Sequence, residues 1–126
     1  DMNTGEKLWD LPVGQTPERI RNHPLLAGAN VPDTGGTGFS IQMVMGDLLV
    51  QTTEDLRGET EVNANGMPML HARDKRTGEI LASVEIPFPG QYGMMSYLHG
   101  GRQYILVQSG SAKRGQPGAL VALALP

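Results

Sequence analysis

Three short stretches of this chain hold residue types able to do chemistry: Thr34-Gly35-Gly36, Ser109-Gly110-Ser111 and the run Arg19-Ile20-Arg21-Asn22-His23. Paired glycines let a backbone come close to a flat ligand, because no Cβ stands in the way. The plain alternative is an ordinary turn at each site. The Arg/Asn/His run can hydrogen-bond a polar ligand, or it can be a surface loop in which Asn22 or His23 caps a backbone turn. Metal chemistry has little support. His23, His71 and His99 are too scattered for a zinc triad. Glu54, Asp55, Glu59 and Glu61 form an acidic cluster without the D-x-D-x-D-G order of a calcium loop, so a solvated acidic loop is the simpler reading. The sequence contains no Cys, hence no thiol nucleophile, thiolate site or disulfide. GxSxG, P-loop and HExxH patterns are all missing.

These residues sit between elements that read almost entirely as strands. Helical periodicity is confined to "TPERIRNHPLLAG", with Thr16 placed as N-cap, Pro17 at the first helical position, and Pro24 as the stop after a turn or two. Elsewhere short apolar or alternating runs lie between turn signals: "LWDLPV", "FSIQMVMG", "DLLVQTTE", "MLHARD", "ILASVEIP", "GMMSYLHGG", "RQYILVQSG" and "ALVALALP". Gly 17 and Pro 9 make 26 of 126 residues, against roughly 12% for the pair in ordinary proteins, which suits a fold with many turns. The prediction is all-β, with about eight short strands.

The spacing contains a repeat. "DMNTGEKLW" from Asp1 matches "DKRTGEILA" from Asp74, an offset of 74 − 1 = 73. "GDLLVQTTE" echoes "GRQYILVQSG", and "LHARD" echoes "LVALA". Lettered A to D, the strands run D, then A-B-C-D, then A-B-C. The expected architecture is a β-propeller of four-stranded antiparallel blades: the end of one blade at 1–13, a complete blade at 35–87 and three strands of a last blade at 93–126. Two blades cannot bury both their faces alone, so the chain is read as the C-terminal part of a larger propeller. In such up-and-down sheets the long loops, Gly14 to Gly38, Glu54 to Pro68 and Ser109 to Gly118, all fall at one end. That end is the expected functional face. The formal net charge of −3 leaves no basic footprint for nucleic acid. No apolar run approaches the roughly 18 residues of a membrane helix.

The ordered set of motifs resembles the pyrroloquinoline quinone (PQQ)-dependent dehydrogenases. "TGEKLW" is similar to their tryptophan-docking motif, "GGTGFSIQMVMGDLLVQTTED" to their Gly-Gly and following strands, and "LHARDKRTGEIL" to their "lrAfDk.tGe.l". "GQYGMMSYLHGGRQYILVQSGS" and "ALVALALP" are similar to their C-terminal blade, and "ERIRNHPLL" resembles a segment of glucose-dehydrogenase-like members. The resemblance implies an eight-bladed propeller, PQQ with a calcium ion, and oxidation of a sugar or alcohol in the bacterial periplasm, with or without attachment to the inner membrane through a preceding region. The electron acceptor it implies is a quinone or a cytochrome. The remaining blades of the parent chain would be the main partner.

The resemblance also implies residue roles. Thr34, Gly35, Gly110 and Ser111 stand where relatives approach the cofactor, although Ser111 replaces a His or Trp. Arg21 and His23 are the substrate-proximal candidates. Trp9 is expected to wedge between blades, and Gly5, Asp74 and Gly78 are expected to have structural roles. Ala82 stands where the second copy should repeat Trp9, so one wedge is lost. The base, the calcium ligands and most quinone contacts are expected outside these residues. The fragment then supplies closure and part of one wall, and is inactive alone. The competing reading is a non-catalytic propeller of the same repeat class that serves as a protein-binding scaffold.

Overall fold

The computed structural model describes residues 1–36, 39–53, 62–110 and 115–124. Seven strands form two antiparallel sheets. β1 (Ser40–Met45), β2 (Leu48–Thr53), β3 (Met69–Asp74) and β4 (Ile80–Glu85) lie in the order β1-β2-β3-β4. β5 (Gly90–His99), β6 (Arg102–Ser109) and β7 (Ala119–Ala124) lie in the order β5-β6-β7. Each strand pairs with its sequence neighbour, as short turns between alternating segments require. The result is all-β and consistent with a propeller-type fold; neither sheet closes on itself.

Register sorts the side chains onto two faces. Met43↔Val50↔Ala72↔Ala82 is one cross-strand row, and Gln42↔Gln51↔His71↔Ser83 is the neighbouring row on the opposite face. The apolar face meets the second sheet. Val50, Leu70, Ile86, Ile105 and Val107 form the buried cluster there, with Met43, Met45, Met94 and Leu123 packed around it. Each such side chain is worth about 1.5–3 kcal/mol when fully removed from water. The sheets approach most closely along β1 and β5. A groove of about 270 Å³ opens between them, lined by Val84 and Ala82 of β4 and by Leu123 and Ala124 of β7. Ala82 thus borders an open space, and among the described residues no large side chain fills it.

Two expectations need correction. "LWDLPV" is not a strand: residues 6–13 pair with no strand among the described residues. The segment crosses the polar face of the first sheet and contacts it through side chains, so its backbone has no neighbouring strand to bond. Thr16 is not a helix cap either. Helix α1 (Glu18–Arg21) has Pro17 at its N-cap and no side-chain cap.

The Thr16 hydroxyl instead donates to the Pro32 carbonyl (2.8 Å) and accepts from the Thr34 amide (2.8 Å). Thr16 is 3% exposed, and its bonds pin together the two ends of the loop holding α1 and the 3₁₀ turn Pro24–Leu26. The Gly36 amide closes the loop on the Val13 carbonyl at 2.8 Å. Thr16→Val keeps the shape and removes the hydroxyl. It should cost about 1–3 kcal/mol, the net worth of two part-buried hydrogen bonds. Urea denaturation and faster hydrogen exchange at the Thr34 amide would report it.

Candidate functional site

The repeat seen in sequence is one turn built twice. In the first copy the Gly5 amide donates to the Asp1 carbonyl at 2.8 Å and the Asn3 amide to Asp1 Oδ1 at 2.7 Å. In the second, the Gly78 amide donates to the Asp74 carbonyl at 2.9 Å and the Arg76 amide to Asp74 Oδ1 at 2.7 Å. Gly5 and Gly78 have φ of 75° and 76°, the left-handed conformation glycine adopts without strain. The aspartate acts by accepting backbone N–H groups, and the threonine oxygen accepts the following Glu amide in both copies (3.2 Å).

Hydrogen bonds from the Arg76 and Thr77 amides hold the Asp74 carboxyl below the ordinary aspartate range. These bonds favour the charged form. Because the folded value lies below the unfolded one, the contribution is complete above the usual aspartate pKa and is lost as pH falls through the lowered value. The Arg76 and Thr77 amide shifts of the wild type should therefore move only at pH below the usual aspartate pKa. In Asp74→Asn they should stay flat.

Trp9 docks on the second turn. Its Nε1 donates to the Lys75 carbonyl at 3.0 Å. A Cβ on Gly78 would stand 2.9 Å from the indole ring and 2.7 Å from Leu11 Cδ1. The bare Gly78 backbone is the surface on which the ring rests.

At the opposite, loop-rich end, the candidate cofactor and substrate residues are engaged within the chain. The Thr34 hydroxyl lies 3.2 Å from that of Thr16. Gly35 (φ 83°) comes within 3.0 Å, at an ideal Cβ, of the Val13 carbonyl. Gly110 packs its backbone on the Pro117 carbonyl and donates its N–H to the Pro89 carbonyl at 3.0 Å. Ser111 lies outside the described residues, as does the acidic cluster of Glu54, Asp55, Glu59 and Glu61. Arg21 pairs with Asp33 at 2.8 Å, and His23 Nδ1 accepts the Leu25 amide at 3.3 Å. Gly35 and Gly110 serve close approach of one backbone to another. The described residues do not by themselves make a cradle for PQQ. Among the described residues no three of His, Asp and Glu gather as a metal site.

Two residues at these seams escaped sequence reasoning. Tyr92 is the one non-glycine residue with positive φ (56°) among those described, and it is 74% exposed. It sits where Gly90 to Met94 of β5 spans four steps against two on β6, from Ser109 to Val107. Such an irregularity re-aims a strand, and the only sequence signal was Gly93 beside the Tyr. Arg73 is 8% exposed on the polar face of β3. Its signal was an arginine where the resembled pattern "lrAfDk" has an apolar residue.

The model of the glucose/ethanol/alcohol dehydrogenase β-propeller domain, the PQQ family, matches residues 1–105. Neither a curated protein nor a solved structure matches the chain. The match covers both Asp-x-x-x-Gly turns, the docked Trp9 and the whole first sheet. The chain therefore belongs to the glucose/ethanol/alcohol dehydrogenase β-propeller family, the PQQ-dependent dehydrogenases.

Proposed function

We propose that the chain is part of a periplasmic quinoprotein dehydrogenase oxidising a sugar or an alcohol, with calcium beside its PQQ. The family match over residues 1–105 carries this reading. When bound, PQQ would supply the oxidising chemistry and calcium would supply Lewis acidity. The role of this chain is scaffolding: Trp9 on Gly78 joins successive units, and the loops holding Thr34, Gly35 and Gly110 form part of one wall at the loop-rich end. Arg21, held by Asp33, and His23 lie on the adjoining loop for a polyol to meet. Electrons would leave to a quinone or cytochrome.

The test is reconstitution of the full-length protein with PQQ and Ca²⁺, followed by dye reduction with glucose and with ethanol. Saturable PQQ binding and dye reduction with either substrate are expected, and none from the isolated 126 residues. A full-length protein that binds no PQQ would instead be a non-catalytic scaffold. One observation favours that second reading: Thr34, Gly35 and Gly110 are all committed to contacts inside the chain.

A further inference from the structure

The polar face of the first sheet holds a cation, Arg73, with no charged partner among the described residues. Arg73 Nε donates to Gln51 Oε1 at 2.9 Å, and one terminal nitrogen donates to the Gly78 carbonyl at 2.7 Å. Both acceptors are neutral. Among the described residues no carboxylate forms an ion pair with it. A guanidinium carries five N–H donors in a planar fork. Two bonds leave part of that fork unused, and a buried cation without a counter-charge is destabilising.

The arginine borders a cavity of about 130 Å³ between the sheet and the segment from Trp9 to Val13. Gln42 and Gln51 line it too. Each amide nitrogen gives one hydrogen to Ser40 Oγ at 2.9 Å, so each keeps a second N–H to donate. The wall thus offers a guanidinium edge and two carboxamide donors. Among the described residues of the lining Asp10 supplies the only acidic group; its carboxylate is turned to Lys7 at 3.0 Å and is largely exposed.

We propose that this cavity is a carboxylate-binding site, with the anion seated on the free edge of Arg73. Charge selects the class. One buried cation calls for one negative charge, and Asp10 at the rim repels a phosphate dianion more than a monoanion. Planarity agrees, since a carboxylate matches the guanidinium fork with two parallel hydrogen bonds. The carboxylate is either a small free acid or an Asp or Glu side chain from another part of the parent polypeptide. The site does not depend on the quinone reading, because it lies on the polar face of the first sheet beneath the segment from Trp9 to Val13 and uses none of Thr34, Gly35, Gly110 or Ser111.

Thermal unfolding of the full-length protein is followed in 0–50 mM sodium acetate, with chloride replaced to keep sodium constant, and a crystal structure of the same protein is determined. If the anion is free, the wild-type midpoint rises saturably with acetate. Asp10→Asn then tightens apparent acetate binding about 3-fold, and Arg73→Met weakens it at least 10-fold. If a side chain fills the site, acetate has no effect, Arg73→Met lowers the midpoint, and the crystal structure shows an Asp or Glu oxygen on the guanidinium. The proposal is overturned if neither wild type nor Asp10→Asn responds to acetate and the crystal structure shows only solvent or neutral groups at Arg73.

Discussion

Gly110→Ala should lower stability by about 3–5 kcal/mol, combining left-handed backbone strain with a steric clash. Gly110 has φ 82°, and a Cβ placed there would run into the Pro117 carbonyl. Backbone cannot swing aside as a side-chain tip can, so the chain entering β7 must shift as a whole. The Gly110 amide also holds the Pro89 carbonyl, which ties the end of β6 to the start of β5. Gly115→Ala is the control: φ is 69°, but nothing lies within 4 Å of its Cβ, and it should cost only about 1 kcal/mol of strain. Guanidinium denaturation of both variants separates clash from conformation. Equal losses would mean that the approach of Gly110 to Pro117 is not a feature of the folded chain. Under the proposed function, Gly110→Ala should also weaken PQQ binding, because the displaced loop belongs to the wall.

Trp9→Ala is the second large effect, with an expected loss of about 2–4 kcal/mol for a half-buried indole that also gives up a hydrogen bond. The docking predicts more than a loss. Gly78→Ala should be comparably damaging, since its Cβ would sit 2.7 Å from Leu11 Cδ1 and 2.9 Å from the Trp9 ring. With Trp9 already alanine, the ring part of that clash disappears. The double variant should therefore lose at least about 1 kcal/mol less than the sum of the singles, within the coupling range of contacting residues. Additive losses would show that ring and glycine do not touch in solution.

The Trp9 prediction rests on a repeat that could be read from sequence. Asp, Gly and Thr at fixed spacing determine a turn through their own short-range hydrogen bonds, so the Asp1 and Asp74 copies were legible and fold alike. The alternating runs were legible as strands for a related reason. A period of two places apolar residues on one face whatever the wider context. Family membership followed from the same ordered motifs, as the match over residues 1–105 shows.

Other features depended on where distant segments meet. Residues 6–13 have strand-like composition, yet a strand exists only beside a hydrogen-bonding neighbour, and this segment lies across a sheet face. Thr16 and Pro17 carry a helix-start signal, but Pro32 and Thr34 compete for the same hydroxyl from 16 and 18 positions away. The glycines at 35 and 110 announced close approach without saying to what; the partners are the Val13 and Pro117 carbonyls. Arg73 carries no local mark of burial. Only the packed segment from Trp9 to Val13 turns it into a buried cation beside a polar cavity. Turn chemistry and strand period act over a few residues and are written in the local sequence, whereas burial and its uncompensated charges arise from contacts between segments far apart in the chain.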